Sequence, residues 1–443
     1  MPPSPPPPSP PSDGQPPYDS IALIGGGIAG LTLAISLLHR SIPFTLYESA
    51  PAFAEIGAGV SLGPNSARAM KMIDPRIYAG FQRCATNNAW AEKRQTWFTF
   101  RKGGRAEDCG GERGEVGEEI LDLFSETGQT SVHRARFLEE LVALVPESVV
   151  RFGKRCVDVV ARGDGAGVVV RFADGEEARH SAAIGCDGIK SRVRHAVLGA
   201  DHPAAKARFT GKYAYRGLIP MSSAASLLGD RLARNAQMYL GLGGHILTFP
   251  IEHGETMNVV AFATKADGKW EDDEWVKPLD REAMYRDFEG WVPAAKKILS
   301  LMQKPDCWAL FEHPPADTYV NGRICVVGDA AHASTPHNGA GAGQAIEDAL
   351  VMGRALALVR ENGNIPRAFT AFDRVRRPRS QRQVREANKA GWLYDLQDPE
   401  IGADWDRLKE RLAVKQKWIW EHDLEADVEE VERVYRGEVS SRL

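Results

Sequence analysis

The pattern of apolar and polar positions changes character along the chain. Residues 21–24 are continuously apolar, as in a strand buried on both faces. A glycine cluster follows, then a helical pattern over 31–40 and a second apolar run at 44–48. Strand, tight turn, helix and strand in about thirty residues make a βαβ unit. Residues 132–145 carry an amphipathic helical pattern, and strand-like runs lie at 156–161, 167–172 and 182–184. Between 209 and 264 the runs 213–218, 237–242, 245–250 and 257–264 are separated by glycine turns, which predicts an antiparallel sheet. Residues 270–303 are mixed and partly helical. Residues 323–327 return to a buried strand, a helix begins near Gly343, and 394–436 are charged and mostly helical.

Three glycine-bearing motifs punctuate this pattern. In Gly25-x-Gly27-x-x-Gly30 the first glycine permits the tight turn. The second lets backbone approach a pyrophosphate, and the third allows helix and strand to pack closely. The helix beginning at Ile28 and Ala29 offers free N–H groups to that anion. Glu48 ends the next strand, where a carboxylate can accept from ribose hydroxyls. This motif alone does not separate FAD from NAD. The second segment, Gly328-Asp329 followed by Gly339-Ala340-Gly341-Ala342-Gly343, decides for FAD. Asp329 suits a ribityl hydroxyl, and the backbone of Gly341, Ala342 and Gly343 suits the flavin edge, with a helix N-terminus favouring negative charge on the reduced ring. The third motif runs from Gly185 through Asp187-Gly188 to Lys190, Arg192 and Arg194, whose charges read equally well as solvated.

The resulting fold class is α/β: a Rossmann-like FAD-binding domain, an antiparallel-sheet substrate domain and a C-terminal helical segment. The expected divisions are a proline-rich tail (1–17), the βαβ part (18–95) and its continuation with a glycine- and charge-rich surface excursion (96–205). The substrate sheet (206–310), the return of the FAD domain (311–385) and the helical segment (386–443) follow.

Composition narrows the partners. Of 443 residues, 55 are basic and 59 acidic, a formal net charge of -4 that gives no footprint for nucleic acid. The basic run 374–379 reads as a solvated helix face. Six cysteines without CxxC spacing point to neither disulfides nor zinc. No stretch reads as membrane-spanning. The expected location is cytoplasmic, with a peroxisomal alternative in the C-terminal Ser441-Arg442-Leu443.

The three motifs, in this order, resemble the single-component (class A) FAD-dependent aromatic hydroxylases. The resemblance extends from residue 18 to about 430. Cys186 departs from the alanine usual there. Within the family the chain is most similar to the salicylate hydroxylases, through Tyr213-Ala214-Tyr215-Arg216-Gly217, the stretches 237–250 and 336–344, and the late stretches 393–399 and 418–424. Enzymes that dearomatise phenolic polyketides, which with hydroxylases of other hydroxybenzoates are the alternative reading, share the flavin motifs and the Tyr-Arg-Gly strand but commonly have tyrosine at the position of Phe249.

The resemblance implies oxidation of NADH (or NADPH), reaction of the reduced flavin with O2 to a C4a-hydroperoxide, and hydroxylation of a small aromatic acid. For salicylate the products are catechol and CO2. No second GxGxxG is present, so the nicotinamide is expected to bind transiently at the flavin face. The resemblance also implies FAD contacts from Arg134, Asp187, Gly59 and Ser61. His337 is expected to meet the phenol oxygen, with a turn-stabilising role as its alternative. Arg216 is expected to meet a carboxylate or phenolate, the alternative being an ion pair behind the pocket. Met238, His245, Leu247 and Phe249 would line the ring pocket or serve as core. His332 reads as structural. The protein is expected to be a monomer or homodimer. A nicotinamide dehydrogenase without oxygen chemistry, or a flavoprotein that no longer turns over, are the competing classes.

Overall fold

The computed structural model describes residues 18–53, 59–111 and 114–438. The proline-rich tail and the C-terminal tripeptide lie outside the described residues. The first unit is a six-stranded sheet ordered Val320–Asn321, Ile324–Val326, Ala182–Gly185, Ile21–Ile24, Phe44–Tyr47, Val150–Arg151, parallel except at its first strand. Its central strands are fully buried apolar runs, as parallel strands covered on both faces must be.

Helices Ile28–Leu38 and Gly341–Ala357 pack closely against each other. Ser36 donates to the Ala349 carbonyl at 3.0 Å, and a Cβ on Gly353 would lie 2.1 Å from Ser36 Oγ. Gly353 therefore allows a separation that any side chain would widen.

The second unit is an eight-stranded sheet. Its centre, Arg208–Pro220, Thr256–Thr264, Gly244–Ile251 and Gln237–Gly241, is antiparallel as expected. Two strands, Thr96–Lys102 and Glu119–Phe124, come from the segment expected in the FAD unit. Thr96–Lys102 pairs parallel to Gln237–Gly241, and the surface excursion is the connection between these two strands. The run Thr-Trp-Phe-Thr-Phe is almost wholly buried, so it lacks the alternation that marks a strand open to water on one face. Helices Met221–Leu228, Arg281–Asp287 and Pro293–Leu301 close one face of the large sheet around Tyr215, Ile219, Tyr239 and Ile246. The other face looks toward the first unit.

Two further differences are local. The helix expected over 132–145 is a strand, Thr130–His133, followed by a helix, Arg134–Val142. The helix Ile365–Tyr394 runs through residue 386, where the C-terminal segment was expected to begin.

That long helix also overturns the reading of 374–379 as a solvated face. Arg376 is fully buried and donates to Asp348 at 2.8 Å and to Glu347 at 2.7 Å; Arg379 makes two bonds to Glu347 at 2.7 and 2.9 Å. Burial alone would raise the Glu347 carboxyl, but Arg379 and Arg376 bring it down to about 2. Asp348 also accepts from His332 at 2.6 Å and from the Gly328 N–H at 2.9 Å, so His332 is part of this structural network.

Arg376→Met leaves Asp348 without its guanidinium inside the protein. Removing one partner of a buried pair costs about 3–5 kcal/mol. Denaturant unfolding is expected to show a loss of that size, accompanied by loss of bound flavin.

Candidate active site

Four adjacent strands end level with one another: Tyr47 beside Ile24, Ile24 beside Gly185, and Gly185 beside Val326. Each strand end carries one piece of chemistry, namely Glu48, the first glycine turn, Asp187 and Gly328-Asp329. Ligands of open α/β sheets bind at this carboxyl edge.

The glycines there do different things. Gly25 has φ +106°, and a Cβ on it would lie 2.5 Å from the Cys186 carbonyl oxygen, so the first turn is pressed against the third motif. A Cβ on Gly30 would lie 1.9 Å from the Gly25 oxygen. Around Gly27 nothing among the described residues lies within 4 Å of such an atom, which leaves open backbone where helix Ile28–Leu38 begins. Ile28 is core, and Ala29 is half-buried. Glu48 accepts from the N–H groups of Gly26 and Ala50, each at 2.8 Å, and remains half-buried at the turn.

Gly328 joins the two flavin segments. Its φ is +58°, and a Cβ would meet the Ala29 methyl at 2.9 Å and that of Ala345 at 3.3 Å. Asp329 is exposed at the start of a four-residue helical turn, Asp329–His332. Arg194, far from being solvated, is fully buried and donates to the carbonyls of Ala330 (3.1 Å), Ala331 (2.6 Å) and Ala204 (2.7 Å), which fixes that turn. Gly341 and Ala342 are half-exposed where helix Gly341–Ala357 starts, whereas Gly343 faces Ser66 of helix Pro64–Ile73. Two open helix N-termini with two carboxylates along one edge fit FAD, which needs N–H groups for its anionic parts and acceptors for its hydroxyls.

The other expected flavin contacts have partners or places within the protein as well. Asp187 Oδ1 accepts from Ser191 at 2.6 Å, and Oδ2 from the Arg192 N–H at 2.7 Å, so it caps helix Arg192–Leu198. Ser61 accepts from Gln129 at 2.6 Å. The Gly59 N–H donates to Asn258 of the large sheet at 3.2 Å, and a Cβ there would strike the Phe249 ring at 2.6 Å; Gly59 thus ties the two units together. Arg134 opens helix Arg134–Val142.

The expected substrate residues share one face of the large sheet. Register puts Arg216, Val260, Leu247, Met238 and Phe100 side by side across five strands. One rung along lie Ala214, Phe262, His245 and Leu240; on the other side lie Leu218, Asn258 and Phe249. Arg216 is half-buried and stacks over Trp308, its guanidinium carbon 5.0 Å from the ring centroid. No carboxylate pairs with it among the described residues, which removes the ion-pair alternative there. Burial and the nearby Arg134 lower its pKa to about 10.

His337, from the Pro336–Asn338 turn, is 4% exposed, and its ring centroid lies 4.8 Å from that of Phe262 and 5.1 Å from that of His245. Burial, then His245, Lys212 and Lys415, hold its pKa well below the usual histidine value, so it is neutral at pH 7. Among the described residues, neither ring nitrogen of His337 has a hydrogen-bond partner.

Sequence reasoning missed Asp395, Lys212, Phe262, Trp308 and Lys415. Asp395 lies in the resembling stretch 393–399, yet no spacing ties it to His245; only the fold brings them together. Lys415 bonds Asn338 beside His337 and lies over the Tyr394 ring at 5.2 Å. Burial lowers its pKa to about 7.

Between pH 7 and the unfolded value of 10.5, the folded chain holds less proton on Lys415 than the unfolded chain. Its contribution to stability therefore rises with pH across that window. Lys415→Met is expected to raise Tm most at or below pH 7, with the gain fading toward pH 10 in thermal scans. Gly27→Val is expected to give a folded but colourless protein, whereas Gly30→Val disrupts folding; circular dichroism and flavin absorbance separate the two outcomes.

Residues 296–387 match the family model described as an FAD binding domain. Over 410 residues the chain is 42% identical to 6-methylsalicylate 1-monooxygenase of Aspergillus terreus, covering 92% of this chain and 90% of that one. It is 41% identical over 426 residues to a salicylate hydroxylase of Pseudomonas putida, covering 93% of each. Among solved structures, a salicylate hydroxylase substrate complex superposes with a TM-score of 0.82 at 34% identity, covering 93% of this chain and 97% of that one. Together with the cradle for the flavin, these similarities establish that the chain belongs to the FAD-dependent aromatic monooxygenases of the salicylate hydroxylase type.

Proposed function

We propose that this monooxygenase converts a small 2-hydroxybenzoate, salicylate first, with NADH (or NADPH) and O2 into a catechol and CO2. The observation that carries this reading is Arg216, a cation stacked on Trp308 with no carboxylate partner among the described residues, on the same rung as Val260, Leu247 and Met238. An aromatic ring fits the apolar positions, and a carboxylate satisfies the guanidinium, with a planar fork suited to two oxygens.

FAD, when bound, supplies hydride acceptance from the nicotinamide and activation of oxygen. The chain's own part is to hold the ring, to move the phenolic proton and to exclude water. Arg216 anchors the carboxylate, which fixes which carbon faces the flavin. His337, neutral by burial, accepts the phenolic proton and raises electron density at the carbon bearing the carboxylate. Met238, Leu247 and Phe249 wall the ring, and the packing of Phe249 against Gly59 supports a small substrate. Asp187, Ser61 and Gly343 support the flavin indirectly, through the capping and packing contacts described above.

A second reading, a ring-methylated salicylate, is favoured by the 42% identity to the 6-methylsalicylate enzyme. Assay of salicylate, 6-methylsalicylate and 4-hydroxybenzoate, scoring NADH consumption, CO2 and aromatic product together, tests the reading. Equal amounts of CO2 and catechol are expected. A hydroxylated product that retains its carboxyl group would overturn it. Arg216→Met is expected to raise KM for the aromatic acid about a hundredfold, the loss of a charged hydrogen-bonded pair, while FAD remains bound.

A further inference from the structure

Gly391 lies inside the long helix Ile365–Tyr394, short of its C-cap Asp395, at a buried position. Glycine forms helix less readily than alanine, so its place there calls for a packing reason. A Cβ built on it would lie 2.6 Å from His337 Nε2, 2.7 Å from His337 Cδ2 and 3.2 Å from Lys212 Cε. The third-nearest atom belongs to Lys212 and not to the ring, so the helix meets the imidazole along its Nε2–Cδ2 edge. Nδ1 is the ring vertex opposite that edge.

Among the described residues neither nitrogen of His337 has a hydrogen-bond partner, so packing and not bonding sets the ring's orientation. The large sheet also bounds it, through Phe262 with centroids 4.8 Å apart and His245 with centroids 5.1 Å apart. The turn that carries His337 is itself held. Asn338 donates to Gln383 of the same long helix at 3.2 Å, its side-chain oxygen accepts from Lys415, and its carbonyl accepts from Gln416 at 3.3 Å. A ring pushed from the helix side therefore cannot be relieved by the turn backing away.

We propose that Gly391 is the positioning residue for His337: it seats the Nε2 edge against the long helix and leaves Nδ1 as the nitrogen that takes the phenolic proton. The proposal rests on the reading of His337 as the group that meets the phenol, and adds which atom acts and what places it. In the step, the phenol O–H bond breaks and its electron pair stays on oxygen, while the Nδ1 lone pair forms the new N–H bond. The proton returns when the product phenol re-forms. A neutral imidazole carries one N–H, so a bare Nδ1 puts the hydrogen on Nε2. A methyl carbon 2.6 Å from Nε2 would leave no room for that hydrogen. Ordinary contact begins at 3.4 Å, so Gly391→Ala makes the ring retreat by about 1 Å, a misplacement that can cost about a hundredfold in rate.

A double-variant cycle in the FAD-loaded enzyme tests it, with Gly391→Ala, His337→Ala and the two combined. Aromatic product from salicylate, NADH consumption and flavin content are measured together. Gly391→Ala alone is expected to keep its flavin, to lower kcat about a hundredfold and to leave KM within about threefold. In the His337→Ala background the same exchange is expected to change kcat by less than about twofold. There it also raises Tm, because the methyl enters space vacated by the ring and alanine favours helix. A wild-type kcat in Gly391→Ala, or an equal loss with and without His337, overturns the proposal. If the single variant does not hold flavin, Tm decides: a methyl that destabilises the chain as much without the imidazole as with it overturns the proposal too. His337→Asn, whose amide reaches the Nδ1 position, is expected to keep KM nearer the wild-type value than His337→Gln, whose amide reaches Nε2; an equal or reversed order overturns the choice of Nδ1. Wild-type kcat in His337→Ala would instead overturn the reading of His337 as the partner of the phenol.

Discussion

The structure depends on one close approach, in which Gly328 sits between Ala29 and Ala345 with no room for a side chain. Through it, the helix that follows the first glycine turn and the helix that follows the second flavin segment start from one edge. Ser36, Ala349 and Gly353 continue the contact down the helix pair. If these helices moved apart by the width of a methyl group, their N-termini would no longer address the same cofactor. The remaining architecture holds this separation. Arg194 fixes the turn after Gly328 from one side, and Asp348 holds the Gly328 N–H from the other.

That second anchor explains why so much charge is buried far from the chemistry. Glu347 and Asp348 occupy consecutive positions on a helix packed on several sides, and Arg376 and Arg379 answer them from the long helix. Well-packed apolar residues could give equal stability there. They could not bond the Gly328 backbone, hold His332 and fix the rotation of one helix on another at the same time.

Much of this was legible in the sequence. The three motifs fixed the sheet edge, because each glycine has a steric job that little else can do. The common face of Met238, His245, Leu247 and Phe249 was legible because side chains alternate along strands, and the register adds Arg216 to it. The strands Thr96–Lys102 and Glu119–Phe124 were assigned to the wrong unit because a fully buried strand has no alternation, and because the parallel pairing with Gln237–Gly241 is set by tertiary contact alone. Charge misled in the same way at Arg194 and Arg376. A buried arginine and a solvated one look alike until the carbonyls or carboxylates that meet it are known. Asp395 went unnoticed for a related reason, since its partners His245 and Lys212 are distant in sequence.

The wall facing the flavin unit is a lattice. Arg216 is separated from Met238 by three strand intervals of about 4.8 Å, and successive rungs are roughly 7 Å apart along each strand. A ring anchored at Arg216, as proposed, would lie across Val260 and Leu247, whose side chains would set its height while the cation stays where it is. Substrate range on such a wall can change one lattice point at a time. Exchanges between neighbouring aliphatic residues on such a wall would change its fit to plain or ring-methylated salicylates and leave the flavin edge as it is.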